Sequence, residues 1–373
     1  MDHDFILRKT DGIDQLRKRQ EDYLRDLSEE ELSKIEQAVL AYARSKKSMI
    51  LLGPGPWSHS DSEGIAIAAS NLALLAGHIG KESSGILLLL EKSNAQGGID
   101  LGLGSDGKGV EDLFKKAEEG HLKVLYLVGK NPTLSPKALE NLDLLVVQDL
   151  FMTESAREAH VVLPASSFIE KFGTYTNLEG RIQKLHPLRE PKGQSKPDVQ
   201  IFLDLLHLLE IPVDGETPEA IFEKMAKDLP RYRSNQAGET QPKGFMNIEE
   251  AFPNGKAKLI PLDPPRSQPQ PEGYPFSLIQ IPLSFQSGEL SLRSENLKRV
   301  MEKPSLKMNI EDARSMKIDE GEVVELSTPQ GTKWQMRVTL SSLPAHGVLM
   351  ASLARPIGLE RQAYVQVKKL KAN

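Results

Sequence analysis

The chain has 373 residues, 39% hydrophobic and 27% charged, with a formal net charge of −5 and an isoelectric point near 6.0. That length leaves room for two or three domains, and the charge balance offers no broad basic field for nucleic acid. There is no cysteine, which excludes disulfides, thiolate zinc sites and cysteine-ligated iron–sulfur clusters within this sequence.

No apolar run approaches the roughly 20 residues that span a bilayer; the longest, from Gly85 to Leu90, is strand-sized. The acidic start MDHDFILRKTDG has no signal-peptide apolar region, so a cytoplasmic location is expected. The histidines, at 3, 59, 78, 121, 160, 186, 207 and 346, form neither HExxH nor a close pair, and read as surface or structural residues.

In chain order, residues 14–45 read as helical. Ser28 followed by Glu31 is a capping-box pattern, and Leu32, Ile35, Val39 and Tyr42 then fall on one stripe. Residues 48–52 form a short apolar strand that stops at Gly53-Pro54-Gly55-Pro56. An Ala/Leu-rich stretch over 62–78 is apolar on most faces and predicts a buried helix. Strands follow at 86–90, 123–128, 144–148 and 160–163, and helices at 110–119, 135–141 and 154–158. Continuous apolar strands alternating with helices predict a parallel sheet covered on both faces. Helices near 198–210 and 217–228 close this part.

Residues 230–273, rich in Pro, Gln and Gly, read as an extended surface linker. Beyond Tyr274 come short β runs at 276–281, 322–328, 334–340, 347–353 and 363–368, with one short helix at 310–316. Pro329-Gln330-Gly331 suits a hairpin turn. These predict a separate small barrel, because short open sheets leave unpaired edges. The resulting layout is an N-terminal helical segment (1–45), an α/β domain (46–229), a Pro-rich linker (230–273) and a β-barrel domain (274–373).

Several loops follow predicted strands: Gly53-Pro54-Gly55, the Gly-rich Asn94–Gly97, Gly129-Lys130-Asn131-Pro132, and Asp149. In a parallel sheet such loops gather on one edge, where open α/β sheets bind ligands. Glycines admit a phosphate, while Asn and Asp can read a base or ribose; taken singly, the same residues suit tight turns. Residues 102–109 contain GxGxxG and nearly complete a phosphate-binding GxxxxGK[ST]. No strand directly precedes them, and a loop is the better reading. Thr174, Thr176, Asn177, Glu179, Gly180 and Arg181 form a polar cluster. It suits either a phosphorylated or heterocyclic ligand, or a loop held by Glu179 and Arg181.

The ordered series LLGPGPWSH (51–59), NLALLAGHIGKESSG (71–85), NAQGGIDLG (94–102), KVLYLVGKNP (123–132) and VVQDLFMTESAREAHVVLPASSFIEKFGTYTNLEGRIQ (146–183) resembles the molybdopterin oxidoreductase superfamily. It is most similar to the C-terminal part of the large iron–sulfur subunit of NADH–quinone oxidoreductase (complex I). KMNIEDARSMKIDEGEVVELSTPQG (307–331) is similar to that family's dinucleotide-binding β domain. The resemblance implies a Rossmann-like α/β domain followed by a six-stranded double-psi-like barrel. Relatives carry a cluster domain and a metal-ligand region upstream, and nothing comparable fits the first forty residues here.

The expected role is therefore a non-catalytic, cofactor-free scaffold in a complex I-type or related NADH-linked assembly. Its partners would be electron-transfer subunits, including iron–sulfur ones, and it would be peripheral at the inner face of the cell membrane through them. The alternative is one component of a split molybdenum or tungsten enzyme such as a formate dehydrogenase. That component would hold molybdopterin guanine dinucleotide through Gly53, Gly55, Asn131, Asp149, Thr176, Asn177 and Arg181. No catalytic or metal-ligating residue is expected in either case.

Overall fold

The computed structural model describes residues 10–24, 27–57, 61–90, 92–103, 110–229, 232, 254–263, 270–283, 289–353 and 362–370. Most of the 230–273 linker, and all but Gly102 and Leu103 of the 102–109 motif, lie outside the described residues. The chain divides into two compact units: 1–79, 83–86 and 252–373 in one, 80–82 and 87–251 in the other.

The first unit opens with a short strand β1 (Thr10–Asp11) and two helices, α1 (Ile13–Leu24) and α2 (Glu29–Arg44). The helical stretch expected over 14–45 thus breaks before Ser28. There the Ser28 amide donates to Glu31 Oε2 at 2.9 Å and the Glu31 amide to Ser28 Oγ at 3.3 Å, satisfying two otherwise orphaned donors of α2. Strand β2 (Met49–Leu52) pairs with β3 (Gly85–Leu88). Between them run a short helix α3 (Pro54–Trp57) and α4 (Ser62–Leu75), which starts where the Asp61 carboxylate accepts the Gly64 amide at 3.2 Å. Beyond α4, His78 is buried and its Nε2 hydrogen-bonds the Tyr42 carbonyl at 2.9 Å, tying α4 to α2.

The second unit carries α5 (Ala95–Asp100), α6 (Val110–Glu118), β4 (Val124–Val128), α7 (Pro136–Asn141), β5 (Leu144–Asp149), α8 (Glu154–Arg157) and β6 (Val161–Pro164). Strands β4, β5 and β6 pair side by side, all parallel. The apolar runs predict this: Leu145 and Val147 of the central strand have no exposed surface and pack on Ala117, Ala138 and Ala156 of the covering helices. The expectation of one continuous sheet is corrected, since β2 and β3 form a sheet of their own. Hydrophobic runs report burial, not which strand is the neighbour. The loop expected over Asn94–Gly97 is the start of α5, with Asn94 as its N-cap residue. A 3-10 turn (Phe168–Glu170), a hairpin of β7 (Gly173–Thr176) and β8 (Ile182–Leu185), and helices α9 (Asp198–Leu208) and α10 (Pro218–Asp228) complete the unit.

The chain re-enters the first unit through β9 (Ala257–Lys258), which pairs in parallel with β1. Ala257 and Leu259 have no exposed surface, so this stretch of the linker is anchored rather than draped. The barrel follows: β10 (Phe276–Pro282), short helices α11 (Glu289–Leu292) and α12 (Glu295–Val300), β11 (Ser305–Asn309), α13 (Ile310–Met316), β12 (Val323–Ser327), β13 (Lys333–Ser341), β14 (Val348–Leu353) and β15 (Gln362–Lys369). It closes in the order β10-β14-β11-β13-β12-β15, with β10·β14 and β11·β13 parallel and the other pairs antiparallel. The sixth strand, β11, is absent from the five runs read in the sequence; its alternate residues Leu306 and Met308 point into the core with no exposure. Among the described residues no helix is long and apolar enough to cross a membrane.

Asn71 on α4 grips the segment after β9. Its amide nitrogen donates to the Ile260 carbonyl at 2.7 Å and its oxygen accepts the Ile260 amide at 3.1 Å, as a neighbouring strand would. Asn71→Ala removes both bonds and is expected to cost about 1–3 kcal/mol, measured by urea denaturation. A loss below ~0.5 kcal/mol, the range of an ordinary surface change, would show that the clasp contributes nothing.

Candidate functional site

The parallel order of β4, β5 and β6 puts their C-termini on one edge of the sheet. Two of the expected site residues lie there, Asn131 just beyond β4 and Asp149 at the end of β5. Gly129, at φ +60°, turns the chain out of β4 in a conformation that favours glycine. Asn131 Oδ1 accepts the Ser155 amide at 3.0 Å and the Ser155 hydroxyl lies 3.1 Å away, so this oxygen caps the start of α8. Asp149 Oδ1 accepts the Phe151 amide at 3.1 Å, fixing the turn after β5. In both residues one polar atom of the side chain serves the fold and the other is left over.

The hairpin repeats this division. Asn177 Oδ1 accepts the amides of Glu179, at 3.1 Å, and of Arg181, at 2.9 Å, and the Asn177 amide donates to the Arg181 carbonyl at 3.0 Å. The Asn side chain, not a Glu179–Arg181 pair, therefore closes the loop. Among the described residues the half-buried Arg181 guanidinium has no hydrogen-bond or ion-pair partner. Thr176 is different. It is buried, its amide donates to Asn94 Oδ1 at 2.8 Å, and its hydroxyl lies 2.9 Å from that of Tyr232, which donates to Asp100 Oδ2 at 3.0 Å. Both of its polar groups are used inside the unit, so Thr176 supports the hairpin. Gly53 and Gly55 belong to the first unit and Asn131, Asp149, Thr176, Asn177 and Arg181 to the second.

Two supports had no counterpart in the sequence reading. The first is a buried Glu170, whose Oε1 accepts Arg189 Nη2 at 2.6 Å and Nε at 2.8 Å while Oε2 accepts the Ser167 amide at 2.9 Å. The Ser167 amide, followed by Arg189, holds the Glu170 carboxyl below the usual carboxylate range against the opposing effect of burial. The second is a chain from Tyr126 through Gln148 and Asp198 to Lys171. Burial, and then the Asp198 charge, push the Tyr126 hydroxyl upward. Ser167 and Glu170 have capping-box spacing and that tie was legible; the other partners lie 19 to 50 residues apart and were not.

A cavity of about 790 Å³ lies between the hairpin and α10, with Phe222 and Tyr232 among its walls. None of Asn131, Asp149, Asn177 or Arg181 lines it, and Lys184 and Lys227 on its rim are balanced by Glu219 and Glu223. This cavity is therefore distinct from the sheet edge and hairpin loop that carry the expected site residues. Among the described residues no group of His, Asp and Glu could hold a metal ion.

Residues 29–207 match the family model of molybdopterin oxidoreductases. The chain is 28% identical to the alpha subunit of the F420-dependent formate dehydrogenase of Methanocaldococcus jannaschii, in an alignment covering 89% of this chain and 58% of that one. It is 32% identical to a subunit of NADH-quinone oxidoreductase from Rhizobium meliloti, over 60% of this chain and 27% of the relative. Acetylene hydratase from Pelobacter acetylenicus shares the fold, with a TM-score of 0.50 at 18% identity, over 66% of this chain and 39% of that one. The chain thus spans a little over half the length of the formate dehydrogenase subunits it matches. The resemblance to the NADH-quinone oxidoreductase subunit holds over a smaller share of the chain than the one to formate dehydrogenase.

Because the Glu170 carboxyl titrates below its unfolded value, the stability it contributes is present above that unfolded value and is lost as pH falls through the folded one. Glu170→Gln is expected to lower stability at neutral pH, with the deficit shrinking in acid as the wild-type carboxyl protonates. Urea denaturation at both pH values checks this; an equal deficit at each would mean that the charge is not what matters.

Proposed function

From the match of residues 29–207 to the molybdopterin oxidoreductase family model, we propose that the chain belongs to that family and is the nucleotide-gripping portion of the large subunit of a formate dehydrogenase-type complex. The observation that carries this is the set of side-chain groups the fold leaves uncommitted: the amide nitrogens of Asn131 and Asn177, the Arg181 guanidinium and the second oxygen of Asp149. Three are donors and one is an anionic acceptor. Donors of this kind suit a diphosphate, and a carboxylate suits the N–H edge of guanine. That chemistry fits molybdopterin guanine dinucleotide, with Arg181 and the two asparagines toward the phosphates and Asp149 toward the base. Thr176 holds the hairpin and does not touch the ligand.

When bound, the pterin–metal group supplies the redox step. This chain's residues bind and orient it; the sequence has no cysteine to ligate the metal. On this reading the barrel is of the double-psi type, and iron–sulfur subunits are partners. The assembly works on the cytoplasmic side, and any contact with the membrane runs through those partners.

A second reading, a cofactor-free scaffold within a complex I-type assembly, is favoured by the absence of thiols and by the 32% identity to an NADH-quinone oxidoreductase subunit. Cofactor analysis separates the two. Complex purified from cells supplied with molybdate and tungstate is assayed for oxidised-pterin fluorescence, released GMP and metal. The first reading expects all three, and expects Arg181→Ala to lower retained pterin nucleotide roughly tenfold or more, the scale of a lost charged hydrogen bond. Asn177→Ala is a weaker probe because it also opens the loop. Complex without pterin would leave the scaffold reading in place, whereas pterin fully retained by Arg181→Ala would show that Arg181 does not grip it.

A further inference from the structure

Gln148 has no exposed surface, and a carboxamide so buried needs partners. It takes them from outside its own strand. The Tyr126 hydroxyl on β4 donates to Gln148 Oε1 at 2.5 Å, and Gln148 Nε2 donates to Asp198 Oδ1 at 2.7 Å. Asp198 is the first residue of α9, and its other oxygen accepts Lys171 Nζ at 2.5 Å. Lys171 lies two residues before β7. The bonds therefore run from the sheet, through the start of a helix, to the neck of the hairpin.

The remaining ties on the hairpin act elsewhere. The Glu170–Arg189 pair and the bond from the Leu188 amide to the Ile169 carbonyl, at 2.8 Å, close its own neck. Asn94 and Tyr232 hold Thr176, nearer its turn. Lys171 joins the neck to α9 and, through Gln148, to β5. Neighbouring residues of a strand point to opposite faces, so this network leaves the face carrying the Asp149 side chain clear. Hydrogen bonds are directional, and a fully paired buried network fixes a geometry that apolar packing would leave looser.

We propose that Gln148, Asp198 and Lys171 are positioning residues. They hold the hairpin that carries Asn177 and Arg181 in a set relation to the strand ends that carry Asn131 and Asp149, a role whose functional meaning rests on the nucleotide-gripping reading above. Nothing in the network touches the ligand. Its effect is that the two sets of donors keep their spacing before the ligand arrives.

Lys171→Met keeps the stem, removes the ammonium and leaves Asp198 partly open to water, so the fold survives. Asp198→Asn keeps the acceptor for Gln148 and removes the charge. Hydrogen exchange followed by mass spectrometry on the full chain should show residues 173–185 exchanging roughly tenfold faster in both variants, with β4 and β5 as protected as before. In the purified complex, retained pterin nucleotide should fall by about tenfold at an unchanged melting temperature, and Lys171→Arg should restore it. Unchanged hairpin exchange in both variants overturns the proposal. So does a loosened hairpin that retains its pterin nucleotide when Arg181→Ala loses it. If Arg181→Ala also retains it, the gripping reading is what has failed, and the exchange data alone decide whether the network holds the hairpin.

Discussion

Burying a polar group is costly unless it is paired, and three buried polar residues of the second unit are paired across long stretches of sequence. Gln148 sits at the centre of a parallel sheet with no exposed surface, and Thr176 and Glu170 are nearly as enclosed. Gln148 and Thr176 find their side-chain partners outside their own strands, and Glu170 adds a distant partner to the Ser167 amide of its own turn. Each reaches a residue well away in sequence: Asp198 for Gln148, Asn94 for Thr176, Arg189 for Glu170. The cost of leaving any one unpaired, about 1–3 kcal/mol or more, is a large part of a domain's net stability. The hairpin β7–β8 is therefore held at its neck and near its turn by bonds that cannot slide. The first unit uses the same device where Asn71 clasps the backbone of Ile260 and where buried His78 bonds the Tyr42 carbonyl.

These bonds also sort the polar side chains into two groups. Asn131 and Asn177 give their oxygens to the backbone amides of their own loops and keep their nitrogens. Asp149 spends one oxygen and keeps the other. What remains is rich in donors, the character expected of a surface that meets phosphate. Arg181 is the most telling member. Its backbone is fixed by Asn177, its side chain is half-buried, and among the described residues it has no carboxylate to neutralise it. On the proposed reading, a half-buried guanidinium without a counter-ion among the described residues is open to an anion.

Local chemistry was legible in the sequence and long-range chemistry was not. The Ser28–Glu31 box, the strand–helix alternation from β4 to β6, and the turn-rich end that closes into a barrel all rest on residues a few positions apart. The misreadings share a cause. Asn94-Ala95-Gln96-Gly97 looks like a loop because it is rich in glycine, yet it starts α5; a Cβ at Gly97 would lie 2.5 Å from Asn94 Oδ1, the atom that binds Thr176. That glycine is required by a contact formed 82 residues away. Strand β11 is short and carries Lys307 and Asn309, so its alternation is too brief to register before the barrel closes around Leu306 and Met308. Ala257 and Leu259 stand in a stretch whose composition reads as linker, and pairing with β1 together with the clasp from Asn71 makes them core.

Gly97 has an internal explanation, and Gly53 has none. Among the described residues a Cβ built at Gly53 or Gly55 meets no atom within 4 Å, and neither glycine has the positive φ that excludes other residues. Packing and backbone conformation, the two ordinary reasons a fold demands glycine, are both missing there. A third reason is that something other than protein must come close to the backbone. On the proposed reading that something is a ligand, and the same logic applies to Arg181, which has no side-chain partner among the described residues. In each place the fold has satisfied its own needs and leaves a feature that only a ligand would use.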